Sequence, residues 1–303
     1  MISPAGYKEL NALLPGQVKV FEPMARHTTW RIGGPADIFV EPAGVKELAR
    51  LVSWVHHRGL PLYFIGNGSN LLVKDSGIRG VVVKIGRALG RVQVCETTIT
   101  AGAGAMLGVL ATTAQKNGVG GLEFATGIPG TAGGAVVMNA GANGSSMADL
   151  VREVLVMNPS GDLERKKAHE LNFGYRTSNL LGGSLVVVEV TCQGISRDPQ
   201  RIRADMEEYL ARRQATQPLS YPSAGSVFKN PPGKSAGWLI EQAGCKGMRQ
   251  GDAQVSTVHA NFIVNLGRAT ARDVQALIHR VQQLVYERFG ISLALEVQVL
   301  GED

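Results

Sequence analysis

Five short strings hold the residue types that could do chemistry. GNGSN (66–70) lies between the apolar runs LYFI and LLV. Its small residues let successive backbone N–H groups converge on one point, a nest suited to an anion such as a pyrophosphate. The same string also makes an ordinary turn. It has neither the GK[ST] of a P-loop nor the G-x-G-x-x-G that opens a dinucleotide-binding helix, and AGAGA (101–105) fails the second pattern because Leu107 stands where its third glycine belongs. GIPGTAGGAVVMNAGANG (127–144) is glycine-rich and uncharged. Each glycine costs about 0.5–1 kcal/mol inside a helix or strand, so the stretch is expected to be neither. Its backbone would lie against a planar or phosphorylated ligand, or be buried as a loop between two elements. In FGYRTSNL (173–180), Arg176 sits among aromatic and small polar residues, where taken alone a surface arginine or an ordinary ion pair is the better reading. In SAGSVFKNP (223–231), Ser226 follows Gly225, but G-S-V is not the G-x-S-x-G of a hydrolase and also reads as a plain turn. Glu296 shares the polar face of the closing segment with Ser292 and Gln298, where a solvated carboxylate is the simple alternative.

Metal and disulfide chemistry find no support. Cys95, Cys192 and Cys245 form no Cys-x-x-Cys pair. His56 and His57 are adjacent and point to different faces, while His27, His259 and His279 stand apart, so no metal site is expected.

The elements that must position these strings follow from periodicity. Asp37–Glu41 reads as a strand. VKELARLVSWVHH then carries Val45, Leu48, Val52 and Val55 at helical spacing and stops at Gly59. PLYFI and GVVVKI complete a β-α-β unit over 1–88. The part 89–197 is mostly strand and glycine loop: RVQVCETTITAGAG, EVLVMN and SLVVVEVTC read as strands, MLGVLATTAQKNG as a helix and NPSGD as a turn. The part 198–303 opens on the helix RIRADMEEYLARR. Its clearest helix is TARDVQALIHRVQQLVYERFG, with Val274, Leu277, Ile278, Val281, Leu284 and Val285 in one stripe, a Thr270/Asp273 capping box and Gly290 at its end. ISLALEVQVL alternates, placing Ile291, Leu293, Leu295, Val297 and Val299 on one face of a last strand.

The chain has 303 residues, 44% hydrophobic and 18% charged, with net charge +6. Such a chain buries a large core and is not disordered. No basic tail and no basic stretch interleaved with aromatics is present, so the excess charge suits small anionic ligands better than nucleic acid or a membrane surface. The start, MISPAGYKELNALL, lacks the basic and apolar regions of a signal peptide, and no apolar run is long enough to span a membrane. The expectation is a soluble cytoplasmic protein.

Taken in order, HTTWRIGGPAD (27–37), LYFIGNGSNLLVKDSGIRGVVV (62–83), LEFATGIPGTAGGAVVMNAGA (122–142), FGYRTSNL, SAGSVFKNP, AGWLIEQAGCKG (236–247) and LALEVQVLG (293–301) resemble the UDP-N-acetylenolpyruvoylglucosamine reductase family, in its shorter class without a substrate-capping insertion. The resemblance implies an α+β chain: an FAD-binding fold of the vanillyl-alcohol-oxidase type in two subdomains, 1–88 and 89–197, plus an α+β substrate-binding domain, 198–303, whose last strand packs back on the FAD domain. It implies non-covalent FAD, with His27 not serving as a covalent anchor, NADPH as co-substrate, a UDP-sugar as substrate, and a monomer without nucleic-acid or membrane partners. FAD would be held by Gly66, Asn67, Gly68, Ser69 and Asn70 and by Gly127, Ile128, Pro129, Gly130, Gly133 and Gly134. Arg176, Ser226 and Glu296 match the catalytic positions: charge stabilisation, proton donation and polarisation of the substrate carboxylate. Tyr175, Asn230 and Gln242 match substrate contacts, and Arg213 a residue near the substrate phosphates. The alternatives are another FAD-dependent oxidase or dehydrogenase of the same fold, and a non-enzymatic binder of nucleotides or RNA.

Overall fold

The computed structural model describes residues 4–303. The chain folds as two compact units that interleave along the sequence. One holds the residues up to Val20, Ile38–Asn67 and Gly80–Arg213; the other holds Phe21–Asp37, Gly68–Arg79 and Gln214–Asp303.

In the first unit, the helix Val45–His57 buries Leu48, Leu51, Val52, Trp54 and Val55. Leu48, Val52 and Val55 belong to the stripe its spacing predicts, Val45 is half-buried, Leu51 and Trp54 widen the buried face, and Gly59 follows with φ +60°. Strand Leu62–Ile65 pairs in parallel with Val81–Lys84. A five-stranded antiparallel sheet runs in the order Leu163–Lys167, Val151–Met157, Val186–Gln193, Thr98–Gly102, Val92–Cys95. Its first edge is charged, with Arg165 and Lys167 both paired to Glu153. Charge on an edge strand discourages pairing with other chains. The RVQVCETTITAGAG stretch folds as a hairpin that turns at Glu96, whose φ of +52° is left-handed. Asn158–Asp162 closes the predicted turn, the Asn158 side-chain oxygen accepting from the Ser160 and Asp162 N–H groups.

One expectation fails here. Ala132–Val137, within the glycine-rich stretch, is a short helix. Thr131 caps it, its hydroxyl accepting from Gly134 N–H at 3.4 Å. Ala132, Ala135 and Val136 are buried against the core, so packing offsets what its two glycines cost in helix propensity.

In the second unit the long helix Ala271–Phe289 has the capping box of Thr270 and Asp273 and ends at Gly290, φ +65°. Asp75 adds a second cap, its carboxylate accepting from the N–H groups of Ala271 and Arg272. The helix packs on a three-stranded sheet, Arg249–Gln250, Ala253–Val255 and Ile263–Asn265. Trp30 is fully buried in this core, its indole N–H donating to Ile263 O at 2.9 Å.

The closing strand is shorter than its alternation suggests. Only Gln298–Leu300 forms a ladder, parallel to Leu71–Val73. Leu293 and Val297 are buried while Ala294 is exposed, so the alternation itself is correct. Over 294–297, however, the backbone partner is the loop Val227–Lys229, joined by a single bridge between Phe228 and Leu295.

Candidate active site

Two glycine-bearing loops of the first unit touch. A Cβ at Gly66 would lie 2.4 Å from Thr131 Oγ1. The next residue, Asn67, donates from its side chain to Pro129 O at 2.7 Å. The loop Gly127–Gly134 is in turn docked on Ala101–Ala105. Ala132 N–H donates to Ala105 O and Gly133 N–H to Ala103 O, and a Cβ at Gly133 would stand 2.7 Å from Ala103 Cβ. Gly127, Ile128 and Gly130 are half-buried, Pro129 and Gly134 exposed and Gly133 buried. No charged side chain occurs among Gly66–Asn67 or Gly127–Gly134. The result is a firmly backed, neutral shelf of backbone, shaped for a flat or diphosphate-bearing group.

Arg213 closes one edge of that shelf. Its Cδ lies 2.8 Å from where a Gly127 Cβ would stand. The guanidinium is held below its ordinary range by burial. A desolvated cation with this environment is suited to an anion. The position was expected near the substrate phosphates; here its stem lies on the loop expected to hold FAD.

Arg176 also belongs to the first unit. It has φ +56°, a left-handed conformation that costs a non-glycine residue roughly 1–2 kcal/mol. The turn Gly174–Thr177 holds it there through reciprocal backbone hydrogen bonds. Asn139 reaches that turn by donating to Gly174 O at 2.9 Å. The Arg176 guanidinium donates to Gly141 O at 2.8 Å and lies 5.4 Å from the Tyr175 ring centre, itself exposed. Strained backbone held by its surroundings is a mark of functional positions.

The second unit brings Ser226 and Glu296 together. Ser226 is half-buried, and Gly225 before it turns the chain with φ +75°. Glu296 N–H donates to Val227 O at 2.8 Å and Lys229 N–H to Ala294 O at 2.8 Å, so the two segments run side by side. Asn70 ties the GNGSN string to the same place: its side chain donates to Glu296 O at 3.1 Å and its carbonyl accepts from Gln298 N–H at 2.9 Å. Gly68, φ +64°, is pressed against His27, whose carbonyl would lie 2.0 Å from a Cβ there, while Ser69 is half-buried. The His27 imidazole pairs with Glu22 at 2.9 Å. Thr29 anchors the serine loop by donating its hydroxyl to Ser223 O at 2.7 Å.

Asn230 is occupied locally, its side-chain oxygen accepting from Ala236 N–H at the start of the helix Ala236–Gln242. Gln242 is exposed at that helix's end, with its carbonyl accepting from Arg288. Sequence reading missed Asn139, Asn261 and the backing of the glycine loop by Ala101–Ala105, since each is engaged by a partner remote in sequence.

Comparison with known proteins decides the family. A model of the UDP-N-acetylenolpyruvoylglucosamine reductase C-terminal domain matches residues 217–300, and a model of an FAD-binding domain matches 36–166. The chain is 51% identical, over 97% of both chains, to a UDP-N-acetylenolpyruvoylglucosamine reductase of Desulforamulus reducens. The chain belongs to the UDP-N-acetylenolpyruvoylglucosamine reductase family. A Heliobacterium modesticaldum member is 50% identical over 95% of this chain and 92% of its own. The crystal structure of the Thermus caldophilus reductase superposes with a TM-score of 0.80, at 38% identity, over 94% of this chain and 98% of that one. A VAO-type flavoprotein from Myceliophthora thermophila shares the fold alone, with a TM-score of 0.51 at 15% identity over 65% of this chain and 48% of its own. The fold is thus shared with VAO-type flavoproteins, and the FAD-binding domain model independently covers residues 36–166. The neutral glycine shelf fits such a cofactor.

Proposed function

We propose that this chain reduces the enolpyruvyl group of UDP-N-acetylenolpyruvoylglucosamine to UDP-N-acetylmuramate in peptidoglycan synthesis, with NADPH as reductant and FAD as a non-covalent cofactor, acting as a cytoplasmic monomer. The observation that carries the chemistry is the side-by-side run of Val227–Lys229 and Ala294–Val297, which sets a hydroxyl and a carboxyl on adjoining backbone. Family membership at 51% identity over nearly the whole chain supports the substrate. Among the described residues no helix is long and apolar enough to cross a membrane.

In this reading the FAD-binding subdomains are 1–88 and 89–197 and the substrate-binding domain is 198–303. Gly66–Asn70 and Gly127–Gly134 hold FAD, chiefly by backbone. FAD bound there would supply the hydride chemistry that links NADPH to the substrate alkene. Hydride addition at one alkene carbon leaves negative charge on its neighbour and the attached carboxylate. Arg176, always charged and planar, faces that carboxylate and stabilises the charge. Ser226 donates the proton that completes the saturated carbon. Glu296 polarises the carboxylate, either protonated or through a neighbouring donor, since a second bare negative charge would oppose the reaction. Tyr175, Arg213, Asn230 and Gln242 contact the UDP-sugar.

Purified protein should carry a flavin absorbance that is released on denaturation, and should oxidise NADPH only when the enolpyruvyl UDP-sugar is present. A colourless protein after incubation with FAD defeats every flavoenzyme reading. NADPH oxidation indifferent to that sugar points to another oxidase or dehydrogenase of the fold.

A further inference from the structure

Ser226 is a weak acid, and its proposed role depends on placement. Proton donation needs heavy-atom separations of about 2.6–3.2 Å. What positions the segment that carries it is therefore a functional question. On one edge the segment has Ala294–Val297, through the bonds of Lys229 to Ala294 and Glu296 to Val227. On the other edge no strand lies among the described residues. A single residue, Asn261, takes the place of one.

Asn261 is 4% exposed. Its carbonyl accepts from Val227 N–H at 2.8 Å. Its side-chain oxygen accepts from Phe228 N–H at 2.9 Å, and its side-chain amide donates to Phe228 O at 2.8 Å. One residue thus makes three hydrogen bonds to the two residues that follow Ser226. A planar amide, with donor and acceptor side by side, reproduces what a neighbouring strand offers a peptide unit. Asn261 is itself held from behind, its N–H donating to His259 Nδ1 at 3.2 Å, while Ser256 Oγ accepts from the N–H groups of Val258 and His259.

We propose that Asn261 is a positioning residue for proton donation: its side chain locks Phe228 while its carbonyl holds Val227, and through them it sets both the Ser226 hydroxyl and its register against Glu296. This rests on the assignment of Ser226 as proton donor. An apolar side chain of similar size at 261 would orphan both peptide groups of Phe228 in a buried setting. The segment would then shift to find partners, and a displacement near 1 Å is enough to cost about a hundredfold in a step that depends on alignment.

The test uses holoenzyme and stopped-flow measurement of the two half-reactions, flavin reduction by NADPH and flavin reoxidation by the enolpyruvyl UDP-sugar. Asn261→Leu should slow reoxidation at saturating substrate by roughly ten- to a hundredfold, with little change in KM for the sugar and in the NADPH step. Asn261→Asp supplies the second readout. Its carboxylate would repel Phe228 O and be slow, but once protonated it regains a donor and an acceptor in one plane, so its reoxidation rate should recover towards the wild-type rate as pH falls. Asn261→Leu, measured across the same range, should not recover, which separates the effect from titration of His259. If Asn261→Leu loses its flavin or fails to fold, the acid recovery of Asn261→Asp decides alone. Both variants reoxidising at the wild-type rate while Ser226→Ala is slow would overturn the role of Asn261 and leave the proton-donor reading intact. Equal slowing of both half-reactions, or no acid recovery in Asn261→Asp, would also overturn it. Ser226→Ala reoxidising at the wild-type rate would instead defeat the reading on which the inference rests.

Discussion

At the scale of single residues, the polar groups of the candidate site differ in how far their side chains are already engaged. Asn70 and Asn230 spend side-chain bonds on neighbouring backbone, whereas Ser226 stands half-buried after a left-handed glycine. Removing the Ser226 hydroxyl should leave flavin reduction by NADPH nearly intact and slow reoxidation by substrate roughly a hundredfold, the usual size of a lost general acid. Stopped-flow traces separate the two, and slowed reduction with normal reoxidation would dismiss the role. Arg213 poses a sharper choice, because its stem lies on Gly127. Arg213→Ala should raise KM for the UDP-sugar about tenfold, as loss of one charge-assisted contact would. Should KM hold steady while FAD washes out on gel filtration, the guanidinium serves the cofactor alone. His259 offers a pH test. Burial keeps its imidazole below the usual histidine range, and its Nδ1 accepts a hydrogen bond, which only the neutral ring can do. The unfolded chain therefore binds more protons between the lowered folded value and about 6.5, so this contribution to stability is complete above about pH 6.5 and is lost as pH falls through the folded value. Urea midpoints for His259→Asn should fall less in acid than those of the wild type; parallel profiles would exclude it.

At the scale of elements, the helix Ala132–Val137 shows two adjacent glycines with different work. Gly133 faces Ala103 at 2.7 Å, too close for any Cβ, whereas a Cβ at Gly134 would meet only Thr131 Oγ1 at 3.5 Å. Alanine at either site gains up to about 1 kcal/mol of helix propensity. At Gly133 overpacking against rigid backbone costs about 1–3 kcal/mol and wins. Gly133→Ala should therefore lower the melting temperature of the apoprotein. Gly134→Ala should leave it unchanged or slightly higher, yet weaken FAD binding if this exposed face meets the cofactor. Thermal melts of apoprotein with FAD titrations distinguish the two. The helix Ala271–Phe289 was readable from sequence down to its caps, because a capping box and a closing glycine are local devices. The helix over 132–137 was not, since only tertiary burial outweighs its glycines.

At the scale of the whole molecule, the net charge of +6 should help attract the two anionic partners of the proposed reaction, NADPH and the UDP-sugar. Steering by such a field is screened as the Debye length falls to about 10 Å at 0.1 M salt. The ratio kcat/KM should decline with added salt for both, and a flat response would remove the role of overall charge. The two compact units each collect three separate stretches of chain. That is why Leu71–Val73, early in sequence, pairs with Gln298–Leu300 at its end.

The sequence by itself was enough to place the family and the cofactor class, because glycine strings, an arginine turn and a serine loop follow one another in the order that carries the resemblance. It also determined elements whose signal is local, such as the helices Val45–His57 and Ala271–Phe289 and the turn Asn158–Asp162, although the alternation of 291–300 overstated the length of its strand. Only the tertiary structure decided which backbone meets which. Asn70 bonds to Glu296 across 226 positions and Asn261 to Phe228 across 33. Neither asparagine differs in composition or periodicity from one in a surface turn. A hydrogen bond is specified by where its partner lies, and that position is set by the packing of the whole core, to which no short window of sequence has access.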